Sequence, residues 1–287
     1  MLREAAAFAA CCGRRCYFSG KVHTALITLH TLASGSEGNS LLVSADGTHL
    51  LVDAGISARR IKQSLALLGL TTDDLSAILI SHEHTDHTAG LATLLKHHPI
   101  PLYATGGTAF YLRPRLPQLD SCLRLVSPDS SFSVGPAQVT VFATSHDAGE
   151  SVDYRVDCGD AVGILTDTGF VPEPAAAALT GVDLLVLESN HDVEWLCSGP
   201  YPYSLKQRIL GQRGHLSNED AAAFARRMAE CGTRCIILAH LSRENNTPQR
   251  ALAVMETALS GLDVTVEVAP RGELSACYGA EVTLCRR

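Results

Sequence analysis

The segment Ser76 to Gly90, "SAILISHEHTDHTAG", constrains the fold more than any other stretch. Its apolar run "AILI" has strand length and passes directly into His82, Glu83, His84, Asp86 and His87. Such a run belongs in a core, whereas so many ionisable side chains stay near a core only when paired or metal-bound. The chain must end a buried strand at a polar edge and bring further groups to it from elsewhere.

The flanking pattern supplies the rest of that edge. "TALITLHTL" reads as a strand, "ASGSEGNS" as a Gly/Ser loop, and "LLVSADGTHLLVDAG" as a hairpin turning at Asp46-Gly47. A helix is expected over Ala58 to Leu68, and "SAILISHEH" is a strand reaching the ligand-rich motif. "TAGLATLLKHH" and "GTAFYLRPR" are helical, the second halted by Pro114, with "PLYAT" extended between them. From "FSVGPAQVTVF" to "AVGILTDTG" strands and turns dominate. After that, helices ("PAAAAL", "NEDAAAFARRMAECG", "TPQRALAVMETALSG") alternate with strands ("DLLVLES", "CIILAHL", "VTVEVA"). No Pro/Gly-rich linker interrupts this order, so residues 22–287 are expected to form one α/β domain. Residues 1–21 read as an N-terminal extension, disordered or lying upstream of the true start.

Composition narrows the function. A formal net charge of −7 disfavours coating nucleic acid by bulk positive potential, though a local cationic centre remains compatible with it. The longest apolar runs are strand-sized, which predicts no membrane span. Ten cysteines are scattered without the dense spacing of a small secreted scaffold, consistent with thiols in a reducing cytoplasm.

Three segments join the first motif where apolar strands end: "TSHDAG" with His146, "LTDTG" with Asp167, and "LAHLSRENN" with His240. The ordered set His82-x-His84-x-Asp86-His87, His146, Asp167, His240 resembles the metallo-β-lactamase-fold hydrolases from about Ala25 to Ala269. The resemblance implies a four-layer αββα sandwich. It also implies two divalent ions, Zn²⁺ or Mn²⁺: His82, His84 and His146 would hold one, Asp86, His87 and His240 the other, and Asp167 would bridge them. Imidazole and carboxylate suit such ions, and a paired centre can hold a bridging hydroxide as nucleophile. Asp53 is expected to orient a ligand histidine from behind, and Glu83 to point away into a structural contact.

The substrate has to be read elsewhere. "ASGSEGNS", "LESNHD", "GHLSNED" and "HLSRENN" resemble, in order, the YycJ/WalJ-like branch of that family. This implies a phosphodiester hydrolase, a 5′-to-3′ exonuclease on double-stranded DNA. By similarity to tRNA 3′-processing enzymes, His215 would donate the proton to the leaving oxygen and Glu188 would steady it. A helix start is the competing reading of that segment, with Ser217 as cap and Asp220 closing a capping-box variant. His191, Asp192, Lys206, Arg208, Arg213, Asn218 and Arg243 are the candidate substrate contacts, with a solvated helix face or loop network as the alternative. The interval between Asp167 and His240 leaves no room for a β-CASP insertion, so nucleic acid would be held by the edge of one domain, with a homodimer as a further expectation. A small-molecule hydrolase acting on a cyclic phosphodiester, lactone or thioester, and a non-catalytic metal-binding regulator, are the alternative functions.

Overall fold

The computed structural model describes residues 27–279; the extension expected over residues 1–21 lies outside them. Two seven-stranded sheets form the centre. The first contains β1 (Ile27–Ala33), β2 (Ser40–Ala45), β3 (Thr48–Val52), β4 (Leu75–Leu79), β5 (Leu102–Thr105) and β6 (Leu123–Val126), with β14 (Tyr278–Gly279) added beside β1. The second runs β13 (Thr265–Val268), β12 (Cys235–Ala239), β11 (Leu184–Glu188), β10 (Asp160–Leu165), β9 (Val152–Cys158), β8 (Ala137–Ala143) and β7 (Ser131–Val134). On the first sheet lie α1 (Ala58–Leu67), α2 (Thr85–Thr88), α3 (Leu91–His97), α4 (Gly106–Leu112) and α5 (Leu119–Cys122). With the second go α6 (Glu173–Leu179), α7 (Val193–Ser198), α8 (Tyr203–Ile209), α9 (Asn218–Glu230) and α10 (Pro248–Ala258).

The layering follows from strand alternation. Leu50, Val52, Ala77 and Leu79 of the first sheet share one buried cluster with Leu184, Val186, Cys235 and Ile237 of the second. The intervening Leu51 and Ile78 face the other way, onto Ile61 and Leu65 of α1 and Leu91 of α3. Leu185, Leu187, Ile236 and Leu238 likewise pack on Leu179 of α6, Phe224 of α9 and Met255 of α10. Three stacked cores therefore separate four layers, the αββα sandwich the sequence implies.

The edge that carries the polar groups is set by parallel pairing. β3 runs parallel to β4, and β10, β11 and β12 are mutually parallel, so the C-terminal ends within each set coincide. Tyr154 on β9 donates its hydroxyl to the Ile80 carbonyl at 2.7 Å, tying the two sheets together behind that edge. The Asp46-Gly47 hairpin is present, with positive φ at both residues (44° and 77°). One expectation is corrected. β4 ends at Leu79, so His82 and His84 are not alternating strand residues; they sit in the turn beyond it, and His84 is the cap preceding α2. The imidazoles need that freedom from the pleat to converge.

Candidate metal centre

The edge gathers groups from six strand ends. Asp53 follows β3, His82 and His84 follow β4, and Asp86 and His87 occupy α2. His146 follows β8, Asp167 follows β10, Glu188 closes β11 and His240 follows β12. Asp53, Asp167 and His240 adopt positive φ of 58°, 52° and 55°. That conformation is uncommon for residues with a side chain, and here it breaks each strand so that its polar group turns into the edge. Close backbone approach is also required: a Cβ on Gly55 would lie 1.6 Å from the Asp86 carbonyl, so only glycine lets the ligand-bearing turn dock.

Ligand-type atoms converge in overlapping groups, each with atoms within 4.8 Å of one another. They are His82/His84/His146, His82/His87/Asp167, Asp86/His87/His240, and Asp167/Glu188/His215/His240. His82 Nε2 and His84 Nδ1 stand 3.0 Å apart, close to the roughly 3.3 Å between two nitrogens on one tetrahedral ion. His87 Nε2 lies 3.0 Å from Asp167 Oδ2 and 3.6 Å from Asp86 Oδ2. His240 Nε2 is buried without a hydrogen-bond partner, 3.8 Å from Asp86 Oδ2. Nitrogens facing nitrogens, and an orphaned imidazole nitrogen in a buried cage with two carboxylates, fit divalent cations.

The second ring nitrogens of His87, His146 and His240 are engaged behind the cage, which fixes the orientation of those imidazoles. His146 Nδ1 donates to the Gly214 carbonyl at 3.2 Å. His87 Nδ1 pairs with Asp53 Oδ2 at 2.7 Å, and Asp53 also accepts from the Ser81 amide and hydroxyl. Glu188, fully buried, accepts on Oε1 from His215 Nδ1 at 2.8 Å and from His240 Nδ1 at 2.9 Å. Its Oε2 accepts from the amides of Thr168 and Leu216. One carboxylate thus holds two imidazoles.

Charge coupling runs through the same contacts. Burial pushes His82 well below the ordinary imidazole range, and His87 adds to that. At His87 burial acts the same way, but Asp53 and Asp167 outweigh it and raise the group; at His240, Asp167 and Asp86 lift it to about 10. Burial opposes ionisation of Asp167 and Glu188, yet His240 and His87 hold Asp167 well below the carboxylate range, and His215 holds Glu188 at about 2. Two buried carboxylates held on the ionised side also favour cations there.

Beside the cage lies a cavity of about 180 Å³, lined by His146, Asp147, Asn190, Arg208, Arg213 and His215 among others. Arg208 Nε bonds Asp147 Oδ2 at 2.5 Å, and Arg213 Nε bonds the His146 carbonyl at 3.0 Å. Of the seven candidate substrate contacts, Arg208 and Arg213 alone line this cavity. Lys206 is turned onto the Cys197 and Gly199 carbonyls, completing the end of α7. Asp192 caps α7 through the Trp195 amide and pairs with Arg250. Asn218 is fully buried between Ser189 and Asn246. Arg243 forms an exposed pair with Glu37. His191 is buried with both ring nitrogens unpaired, and burial pushes it down to about 4. These five stand outside the cavity wall: capping takes up Lys206 and Asp192, a buried amide network takes up Asn218, His191 is buried, and Arg243 pairs with Glu37.

The helix start expected around His215 is present: Ser217 caps α9, accepting from the Asp220 amide and donating to its carboxylate. This fixed start leaves His215, two residues before the cap, at the cavity. Glu83 accepts from the Gly149 amide, as a structural contact should. Residues that the sequence alone did not single out are Asn39, whose amide lies 3.1 Å from His87 Nε2, and Ser34, whose hydroxyl accepts from the His240 amide. Their signal was the "ASGSEGNS" loop. Asp147, adjacent to His146, was also passed over; its Oδ1 is 3.4 Å from His146 Nε2.

The chain belongs to the β-lactamase superfamily, whose domain model matches residues 48–241, and its His/Asp clusters fit divalent metal binding. Within that class it is similar to the exodeoxyribonuclease WalJ of Streptococcus pneumoniae, at 40% identity over 83% of this chain and 90% of that protein. It is similar also to the exodeoxyribonuclease YycJ of Bacillus anthracis, at 39% identity over 77% of this chain and 84% of that one. Among solved structures, the metallo-β-lactamase fold protein YhfI from Bacillus subtilis superposes with a TM-score of 0.66 at 19% identity, covering 87% of this chain and 98% of that one. Human tRNase Z, short form, does so at 0.60 and 19%, with coverage of 87% and 98%; these two bear on the fold alone. Among the described residues no helix is long and apolar enough to cross a membrane.

Proposed function

We propose that this protein is a metal-dependent exodeoxyribonuclease, removing nucleotides from double-stranded DNA in the 5′-to-3′ direction. The observation that carries the reading is Glu188, which grips His240 and His215 through one oxygen. That contact couples a candidate metal ligand to a second imidazole that opens on the cavity. A phosphodiester needs such an acid, since its alkoxide leaving group is poor. The names of the relatives WalJ and YycJ support DNA as the substrate.

In this reading His82, His84 and His146 would hold one Zn²⁺ or Mn²⁺ ion, and Asp86, His87 and His240 a second, with Asp167 available to both. When bound, such a pair supplies an activated water and neutralises charge developing at phosphorus. The protein's own groups do the rest. Asp53 keeps His87 Nε2 aimed into the cage, and Glu188 does so for His240. Glu188 also keeps a proton on His215 Nδ1, leaving Nε2 to protonate the departing sugar oxygen. Arg208 and Arg213 offer guanidinium groups along the scissile strand.

The test is end-labelled duplex DNA incubated with protein and Mn²⁺ or Zn²⁺, beside a cyclic dinucleotide and a thioester. Stepwise release of labelled mononucleotide from the 5′ end is expected. Turnover of the thioester alone would replace the nuclease reading with a small-molecule hydrolase.

A further inference from the structure

The short helix α4 exposes aromatic residues that its packing does not need. Thr108, Ala109 and Leu112 form its buried face. At 100° per residue, Phe110 and Tyr111 fall off that face, and they remain 67% and 51% exposed. Their rings meet edge-to-face at 5.3 Å, so the two residues form one aromatic surface. Aromatics make up only 5% of the chain, while Phe142 and Tyr154 are fully buried. Two neighbouring rings left in water mark a contact surface.

Its position gives it a partner. The Tyr111 ring lies against Gly149, where an added Cβ would come within 2.7 Å of it. Gly149 belongs to the loop that carries His146, and it is pinned by Glu83 from the His-rich turn. The same loop is bonded at Asp147 by Arg208 and at the His146 carbonyl by Arg213, which line the cavity beside His215. Immediately after the aromatic pair, Pro114 separates two exposed arginines. Arg113 is paired with the exposed Asp120, and Arg115 donates to the Glu83 carbonyl between the candidate ligands. An aromatic pair followed directly by two guanidinium groups, next to the edge proposed to cleave phosphodiesters, matches a nucleic-acid strand, whose bases stack on the rings while its phosphates meet the cations.

We propose that Phe110 and Tyr111, with Arg113 and Arg115, form a strand-holding platform for DNA. A base stacks on the rings beside Gly149 of the His146 loop while the bond to be cut occupies the cavity that the same loop lines at His146 and Asp147. This rests on the nuclease reading and is separable from it by experiment. Phe110 is the residue to change, because Tyr111 also supports the loop. For the metal-loaded protein, kcat/KM is measured on duplex DNA with a single-stranded overhang and on bis(4-nitrophenyl) phosphate. Phe110→Ala is expected to lower the DNA value relative to the small diester by about 5- to 100-fold, the loss of one base–aromatic stack. Phe110→Trp is expected to restore it. Fluorescence anisotropy of a labelled oligonucleotide should show the same loss in affinity, including with catalysis stopped by Asp167→Ala. Equal losses on both substrates, or no loss on DNA, would overturn the platform. So would conversion of a wild-type dimer to monomer by Phe110→Ala in light scattering, which would make the pair a self-association surface. If wild type binds DNA through Phe110 but does not cleave it, the nuclease reading fails and the platform stands.

Discussion

Two buried carboxylates stand behind the cage, one from each sheet, and they differ in what they hold. Asp53, at the end of β3, receives His87 and the amide and hydroxyl of Ser81, all from the turn that follows β4. Glu188, at the end of β11, receives His240, His215 and two amides from segments far apart in the chain. The first carboxylate is local stiffening of one ligand. The second joins His240 of the cage to His215, which faces the cavity; on the proposed function, the second sheet's side is where metal binding and proton transfer are coupled.

The largest effect is expected where the two sides meet. Asp167→Ala should lower DNA turnover by about 10²- to 10³-fold or more and reduce bound metal measured by mass spectrometry. Full metal content with normal turnover would show that the sides work independently. His215→Ala should retain its metal and lose about 10²- to 10⁴-fold in kcat. Burial opposes the protonated form of His215, but Glu188 outweighs it and raises the group above the ordinary imidazole value. The donor must be protonated, so activity should fall as pH rises through this raised pKa, on the alkaline side of the ordinary imidazole range; the alkaline limb should vanish in His215→Ala.

A sharper contrast comes from the two carboxylates. Glu188→Gln should weaken metal binding and also lower kcat at saturating metal, moving the alkaline limb to lower pH. Asp53→Asn should weaken metal binding by about 10- to 100-fold while leaving that limb in place. Titration of metal into the apoprotein, followed by pH profiles at saturation, distinguishes them. If Asp53→Asn shifts the limb, the division between the sides is wrong. The smallest effects belong to the cations. Arg208→Gln should raise KM for DNA a few-fold, with a shallower salt dependence. Lys206→Ala should leave KM unchanged and alter stability by no more than about 0.5 to 1.5 kcal/mol, the range of an ordinary hydrogen bond.

Much of the fold is legible in the sequence because the elements are defined by local periodicity. β11 and β12 read as unbroken apolar runs, since parallel strands covered on both faces need no polar alternation. α9 and α10 show apolar stripes bounded by Ser217 and Thr247 caps. The end of β4 is less legible: the ligand-rich turn has the composition of a continuing strand until the backbone is seen to leave the sheet after Leu79. The short α7 and α8 were equally faint, and with them the fate of Lys206 and Asp192. A lysine on a helix looks the same in sequence whether it meets phosphate or caps a neighbouring carbonyl.

By itself the sequence determines the strands and helices and the ligand-type groups at the strand ends, because apolar period and residue identity are local properties; the four layers and the class of centre are implied by the family resemblance, not by period or spacing. Tertiary structure alone decides the wiring. It shows that one oxygen of Glu188 serves both His215 and His240, that Arg208 and Arg213 remain at the cavity while Lys206 does not, and that Phe110 and Tyr111 stand beside the loop of His146. Each of these depends on distances between residues remote in the chain, which strand pairing and loop packing set and which composition and spacing leave free.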